Sequence, residues 1–277
     1  MKKKIVVILA MALSISVVVT GCSGNTNSPG KSTKDQSVEE VYYADEDFVK
    51  DMSKGLQARW ELIAEDENDE TDPQSEEFQT MTLKYIQAEL DCIEKYKDEK
   101  FENIELQEKA ITYIKLLTKH KEICEYIPVD YYGKYLEEYE DIYNERSKII
   151  ADMVTDYGLS VDEKYQSTLD EFKTNSKLVK EQDALKDAVA SMLEKVEFQE
   201  TTSDGSGWKT YQGTIENNTG KDFSTLDITI NLLDSEGVIV ETTYDNIGNF
   251  TDGSKAHIEF TTDKEFTSTQ LSAQWYD

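Results

Sequence analysis

The sequence predicts an α+β chain of several domains, in which an N-terminal all-α helical bundle is followed by an antiparallel β-sandwich. Three observations carry that expectation. Apolar residues recur at three- and four-residue steps from about residue 38 to residue 196. Near Glu197 the alphabet changes to Thr, Ile, Val, Gly and Asn, and apolar and polar residues begin to alternate. Turn-forming clusters then punctuate the rest of the chain at short spacing. A stripe of helical period is expected to be buried against another helix, whereas period two lines one face of a strand.

Five helical segments follow in order, at about 38–65, 75–97, 103–126, 129–157 and 161–195. In the third, Leu106, Ala110, Tyr113, Leu117 and Cys124 share a face that Ile114 widens. In the fifth, Tyr165, Leu169, Phe172, Val179, Leu185, Val189, Met192 and Val196 do the same. Pro73, Pro128 and Gly158 fall between segments, where helix breakers belong. Antiparallel packing of such stripes makes a bundle. Beyond Glu197, Leu226, Ile228, Ile230 and Leu232 face one way while Asp227, Thr229 and Asn231 face the other. Tyr211, Gly213 and Ile215 alternate, as do Ile258 with Phe260, and Leu271, Ala273 and Trp275. Asp204-Gly205, Asn218-Thr219-Gly220, Asp234 to Gly237 and Asp252-Gly253 supply the turns. Six or seven short strands at this spacing predict a sandwich.

The stretch YQGTIENNTGKDFSTLDITINLLDSEGVIVET is similar to the FxLYD domain, a small immunoglobulin-like module of bacterial surface proteins. Gly213, Asn217, Gly220 and Gly237 fit the family pattern, and Ile230-Asn231-Leu232-Leu233-Asp234 occupies the position that names it. Leu232 and Asp234 match, while Ile230 stands where the family has Phe and Leu233 where it has Tyr. The resemblance covers roughly the last 80 residues. It implies an immunoglobulin-like sandwich over 197–277 and no catalytic residues. The helical part, KYKDEKFENIELQEKAITYIKLLTKHKEICEY for instance, is similar to the helical region that precedes this module in some such lipoproteins.

The N-terminus reads as an address. Lys2, Lys3 and Lys4 precede an unbroken apolar-to-neutral run from Ile5 to Thr20. That run is shorter than the roughly 20 apolar residues a spanning helix needs. A basic start followed by a short apolar core is the pattern of a secretory signal. Val19-Thr20-Gly21-Cys22 resembles the lipobox of bacterial lipoproteins, in which the cysteine thiol receives a diacylglyceryl group before cleavage. The expectation is a signal peptide over 1–21, a lipid-anchored Cys22 and a flexible tether over 22–37, rich in Gly, Ser, Asn and Pro. Two acyl chains hold a protein on a bilayer where one does not. A helical domain over 38–196 and the sandwich over 197–277 would then sit at the cell membrane, on its extracytoplasmic face.

Fifty-seven acidic residues oppose 29 basic ones, a formal charge of −28. Removing residues 1–21 takes away three lysines and no acid, which brings the charge to −31. Such a field repels phosphate backbones, so no nucleic acid is expected as a partner. Only Arg59 and Arg146 are arginine; lysine supplies every other fixed positive charge.

Few residues suggest chemistry. Asp66, Asn68, Glu70, Asp72, Gln74 and Glu77 have the oxygen spacing of a calcium loop between helices. Thr71 stands where that loop requires glycine, and a solvated linker is the expected role. Cys92 and Cys124 would sit at levels roughly 20 Å apart in a simple helical hairpin, beyond disulfide reach, so buried thiols are expected. His120 and Cys124 share a helix face as two metal ligands without a third, and His257 lies far away in a strand. Tyr131, Tyr135, Tyr139 and Tyr143 step by four along the fourth helix, which fits a seam between helices or a wall for stacked sugars. No catalytic set, cofactor site or metal site is assembled. The expected function is a non-catalytic, lipid-anchored protein whose two domains contact an unidentified envelope protein or wall polymer. The alternatives are an extracytoplasmic solute-binding protein or an envelope enzyme using paired Asp and Glu.

Overall fold

The computed structural model of the chain describes residues 41–66, 70–203, 205 and 207–276. The expected signal peptide, Cys22 and the tether lie outside the described residues, as does Asn68 of the acidic loop. Helices come first and antiparallel sheets follow, so the chain is α+β.

The helices are α1 (Asp45–Glu65), α2 (Glu76–Ile93), α3 (Ile104–Ile123), the single turn α4 (Ile127–Asp130), α5 (Leu136–Tyr157) and α6 (Gln166–Leu193). Local chemistry sets their ends. Ser75 accepts the Phe78 amide at 3.0 Å to start α2, and Asn103 accepts the Leu106 amide at 3.1 Å to start α3. Asp45, in the first turn of α1, receives the amides of Glu102 and Asn103 at 2.8 and 2.9 Å, which ties the start of α1 to the start of α3. The helix α5 ends on Gly158, whose φ of 72° few residues with a Cβ adopt. The tyrosine-rich segment expected as one helix is broken at its start. Tyr131–Tyr135 forms a wider π turn between α4 and α5, begun by the Asp130 carboxylate accepting the Gly133 amide at 3.2 Å.

The apolar stripes bury together. Phe48, Met52 and Leu56 of α1 meet Ile86, Leu90 and Ile93 of α2, Tyr113 and Leu117 of α3, and Ile150 and Met153 of α5. Gly55 lets α1 and α2 approach closely, because a Cβ there would lie 2.9 Å from the Glu89 carbonyl oxygen.

Six strands follow: β1 (Gln199–Ser203), β2 (Lys209–Glu216), β3 (Phe223–Leu233), β4 (Ile239–Phe250), β5 (Lys255–Thr262) and β6 (Ser268–Tyr276). They form two antiparallel three-stranded sheets, ordered β1-β2-β5 and β4-β3-β6. Leu226, Ile228, Ile230 and Leu232 all point inward from β3, as their alternation predicts, and meet Ile215, Ile258 and Phe260 of the other sheet. Val189, Met192 and Leu193 at the end of α6 join this second cluster, so one helix serves both cores. The turns at 218–220, 234–237 and 252–253 fall where predicted; Gly237, at φ 78°, closes the β3–β4 turn by donating its amide to the Asp234 carbonyl at 3.1 Å. Among the described residues no helix is long and apolar enough to cross a membrane.

Candidate functional site

The two arginines converge on one carboxylate. Arg59 of α1, Glu89 of α2 and Arg146 of α5 are 6 %, 0 % and 1 % exposed. Arg146 Nη2 donates to Glu89 Oε2 at 2.8 Å and Oε1 at 3.1 Å, and Arg59 Nη1 donates to Oε2 at 3.1 Å. The Tyr113 hydroxyl donates to Glu89 Oε1 and accepts from Arg146 Nη2 at 3.0 Å. Burial alone would raise the Glu89 carboxyl, but the Arg146 and Arg59 charges and the Tyr113 hydroxyl outweigh it and hold the group ionised, below the usual carboxylate range. Burial pushes the Tyr113 hydroxyl up, so it stays protonated.

A second polar pair lies beside this cluster. His120 Nε2 meets the Tyr135 hydroxyl at 3.2 Å, and the ring is 4.8 Å from that of Tyr139. Burial first, then the positive Arg59 and Arg146, push the imidazole well below its ordinary range, so it is neutral. Its Nδ1 and the Nε of Arg146 are buried without a hydrogen-bond partner.

Above this floor open two clefts that share Arg59, Ile63 and Tyr139. The larger, about 630 Å³, lies between α1, α5 and the start of α6. Its walls are Trp60, Tyr139, Tyr143, Tyr165 and Phe172, and Arg146 lines it together with Arg59. The smaller, about 390 Å³, runs between α1, α2 and the π turn, and His120 lines it. The tyrosine ribbon is both seam and wall. Tyr131, Tyr135 and Tyr139 stack in succession with centroids 5.3 and 5.7 Å apart, and the series continues with tilted rings to Tyr143 at 6.1 Å and Phe172 at 5.2 Å. Phe172 stacks on Trp60 at 5.9 Å. At the rim, Lys164 pairs with Glu61 at 2.5 Å, and the Tyr165 hydroxyl also donates to Glu61. Pockets that hold small molecules are apolar clefts of roughly 300–1,000 Å³ with a few convergent polar groups, and the larger cleft has that composition.

The other residues singled out from the sequence are placed elsewhere. Asp66 accepts the Tyr85 hydroxyl at 2.8 Å, Asp72 accepts the Gln74 amide at 2.9 Å, and Glu77 is an exposed residue of the first turn of α2. Among the described residues no three His, Cys, Asp or Glu side chains gather to hold a metal ion. Cys92 and Cys124 are free thiols. Cys124 donates to the His120 carbonyl at 3.1 Å, and burial pushes it up to about 12. His257 meets Thr214 Oγ1 at 3.2 Å on β5. Glu89 was not legible as a functional residue. The available signal was the position of the arginines: Arg146 stands four residues from Ile142 and four from Ile150, on an apolar stripe, in a chain whose fixed positive charges apart from Arg59 and Arg146 are lysine.

No protein-family model and no curated protein matches the chain. Among solved structures, the chain has a likeness to a Pseudomonas fluorescens alkylpurine DNA glycosylase, AlkC, bound to DNA containing an abasic site analogue. The identity is 10 %, the match covers 81 % of this chain and 74 % of that one, and the TM-score is 0.20. That protein is an enzyme on DNA, in contrast to the expected non-catalytic role in envelope contacts and the expected lack of a nucleic-acid partner, but at a TM-score of 0.20 the likeness carries no argument about what this chain does or binds.

Proposed function

We propose that this chain is an exported lipoprotein, held at the cell membrane by a diacylglyceryl group on Cys22, whose helical bundle captures a small ligand in the cleft between α1, α5 and α6. The observation that carries the capture is the cleft itself: five aromatic side chains walling about 630 Å³ above two buried arginines. Aromatic walls desolvate a flat ligand, and the fixed guanidiniums orient it. The anchor is supported by the basic start, the short apolar run and the Val19–Cys22 motif.

The C-terminal sheets are read as an immunoglobulin-like sandwich of the FxLYD type. Support comes from what the matching residues do. Asn217 is fully buried, and its Nδ2 donates to the carbonyls of Lys221 at 2.8 Å and Phe250 at 2.9 Å, which joins the β2–β3 turn to the end of β4. A Cβ on Gly213 would lie 2.8 Å from Val196 Cγ1, so only glycine lets the end of the helical part cross β2.

Two measurements test the proposal. Radiolabelled palmitate should enter the wild-type protein and not Cys22→Ser; equal labelling, or none, refutes the anchor. A library of small soluble fragments, screened by thermal shift, should yield hits that vanish in Thr168→Trp, which fills the larger cleft from its α6 wall. A folded wild type without hits, or hits indifferent to Thr168→Trp, refutes capture at this place.

A further inference from the structure

The charge on the cleft floor does not balance. Arg59 and Arg146 bring two guanidiniums and Glu89 one carboxylate, each more than nine-tenths buried. Arginine does not deprotonate in proteins. The neighbouring Tyr113 and His120 are held neutral by burial and so contribute no counter-charge. At the rim, Glu61 is committed to Lys164 at 2.5 Å. Glu171, the other carboxylate of the cleft lining, is exposed to solvent at the rim, so the buried floor itself keeps one positive charge, and on it Arg146 Nε is buried with its hydrogen-bonding capacity unspent. Arg146 is also flanked by rings, its guanidinium carbon lying 5.4 Å from the centroid of Tyr113 and 5.8 Å from that of Phe172. A buried charge without a counter-ion is disfavoured, and the next group to enter is selected by its ability to complete the pairing.

We propose that the cleft takes a small monocarboxylate with a flat apolar or aromatic face, its anion meeting the Arg59–Arg146 floor and its face lying along the aromatic wall. A guanidinium is a planar fork that matches a carboxylate. One unbalanced charge matches one negative charge, so a phosphate dianion overshoots it. Aromatic edges carry the positive part of the ring quadrupole and tolerate the anion. The inference rests on the reading of this cleft as a ligand site and adds the class of ligand. Aryl acids and sugar acids share the required chemistry.

The test compares each acid with a neutral counterpart on the full-length chain by calorimetric titration. The probes are phenylacetate against phenylacetamide, and glucuronate against glucose, with inorganic phosphate as a third anion. In at least one pair the acid should bind roughly 10- to 100-fold more tightly than its neutral partner, the range of a hydrogen bond to a charged group; the pair that responds identifies the source. Glu171→Gln, which removes an exposed like charge from the rim without touching the floor, should tighten the acid by roughly 1.5- to 5-fold. Thr168→Trp should abolish binding. Acid and neutral partner binding equally, or phosphate binding as tightly as the acids, overturns the inference while leaving a ligand cleft in place. No binding by any probe, neutral or charged, overturns the inference and the cleft reading together.

Discussion

Replacing Glu89 with glutamine changes one oxygen to nitrogen in a side chain that is 0 % exposed, yet it removes the carboxylate that Arg59 and Arg146 share. Volume and shape are kept, so packing loss contributes little. What changes is electrostatic: two guanidiniums stay buried, at 6 % and 1 % exposure, without a counter-charge, and Arg146 loses its bonds at 2.8 and 3.1 Å to a charged acceptor. Breaking a buried pair by removing one partner costs about 3–5 kcal/mol. Since one kcal/mol shifts the melting temperature of a domain of this size by about 2–4 °C, Glu89→Gln should lower it by about 6–20 °C. Urea and thermal unfolding, followed by circular dichroism on protein with a native spectrum, measure the loss. The triple change Arg59→Met, Glu89→Met and Arg146→Met should lose much less, because well-packed apolar residues replace buried ions at little net cost. A loss below about 1 kcal/mol for Glu89→Gln would refute the claim that the cluster depends on its shared carboxylate.

Two further predictions follow from the same region. Gly55→Ala should destabilise by about 1–3 kcal/mol, because the new Cβ would lie 2.9 Å from the Glu89 carbonyl and 3.3 Å from Cys92 Cβ, forcing α1 and α2 apart. Helix propensity alone predicts a gain of about 1 kcal/mol, so the sign of the urea-midpoint shift decides. Stability should also fall on acidification in two windows. His120 is kept neutral in the fold by burial and the two arginines, whereas the unfolded chain takes up its proton near pH 6.5; stability is therefore complete above about 6.5 and declines below it, by at most about 1.4 kcal/mol per pH unit. Glu89 is held below its ordinary range, so its contribution is complete above about pH 4.3 and is lost as pH drops through the lowered folded-state value. Urea midpoints from pH 7.5 to 3 should show both, and His120→Gln should remove the upper one; an unchanged upper slope in that variant would sink the assignment.

The candidate site was only partly legible in the sequence. The tyrosine ribbon was visible because its four-residue step is a local property of one helix, but the π turn at Tyr131–Tyr135 that sets its first two rings was not, since it depends on how Asp130 folds back on Gly133. Strand β4 was the least apparent of the strands. Of its twelve residues only Ile247 and Phe250 are buried, so alternation left a weak trace. Arg59 and Arg146 stood out by rarity, with no indication of a shared partner.

The amino-acid order by itself determined where helices give way to strands, which faces are apolar and where the chain turns, because period, caps and left-handed glycines act within a few residues of one another. Only the tertiary structure decided that residues 30 and 57 positions away from Glu89 would meet it, and that the rings of α1, α5 and α6 would stand around an open cleft. Those contacts depend on how helices pack across the core. Many packings satisfy the same apolar stripes, so the stripes alone do not say which buried charge faces which.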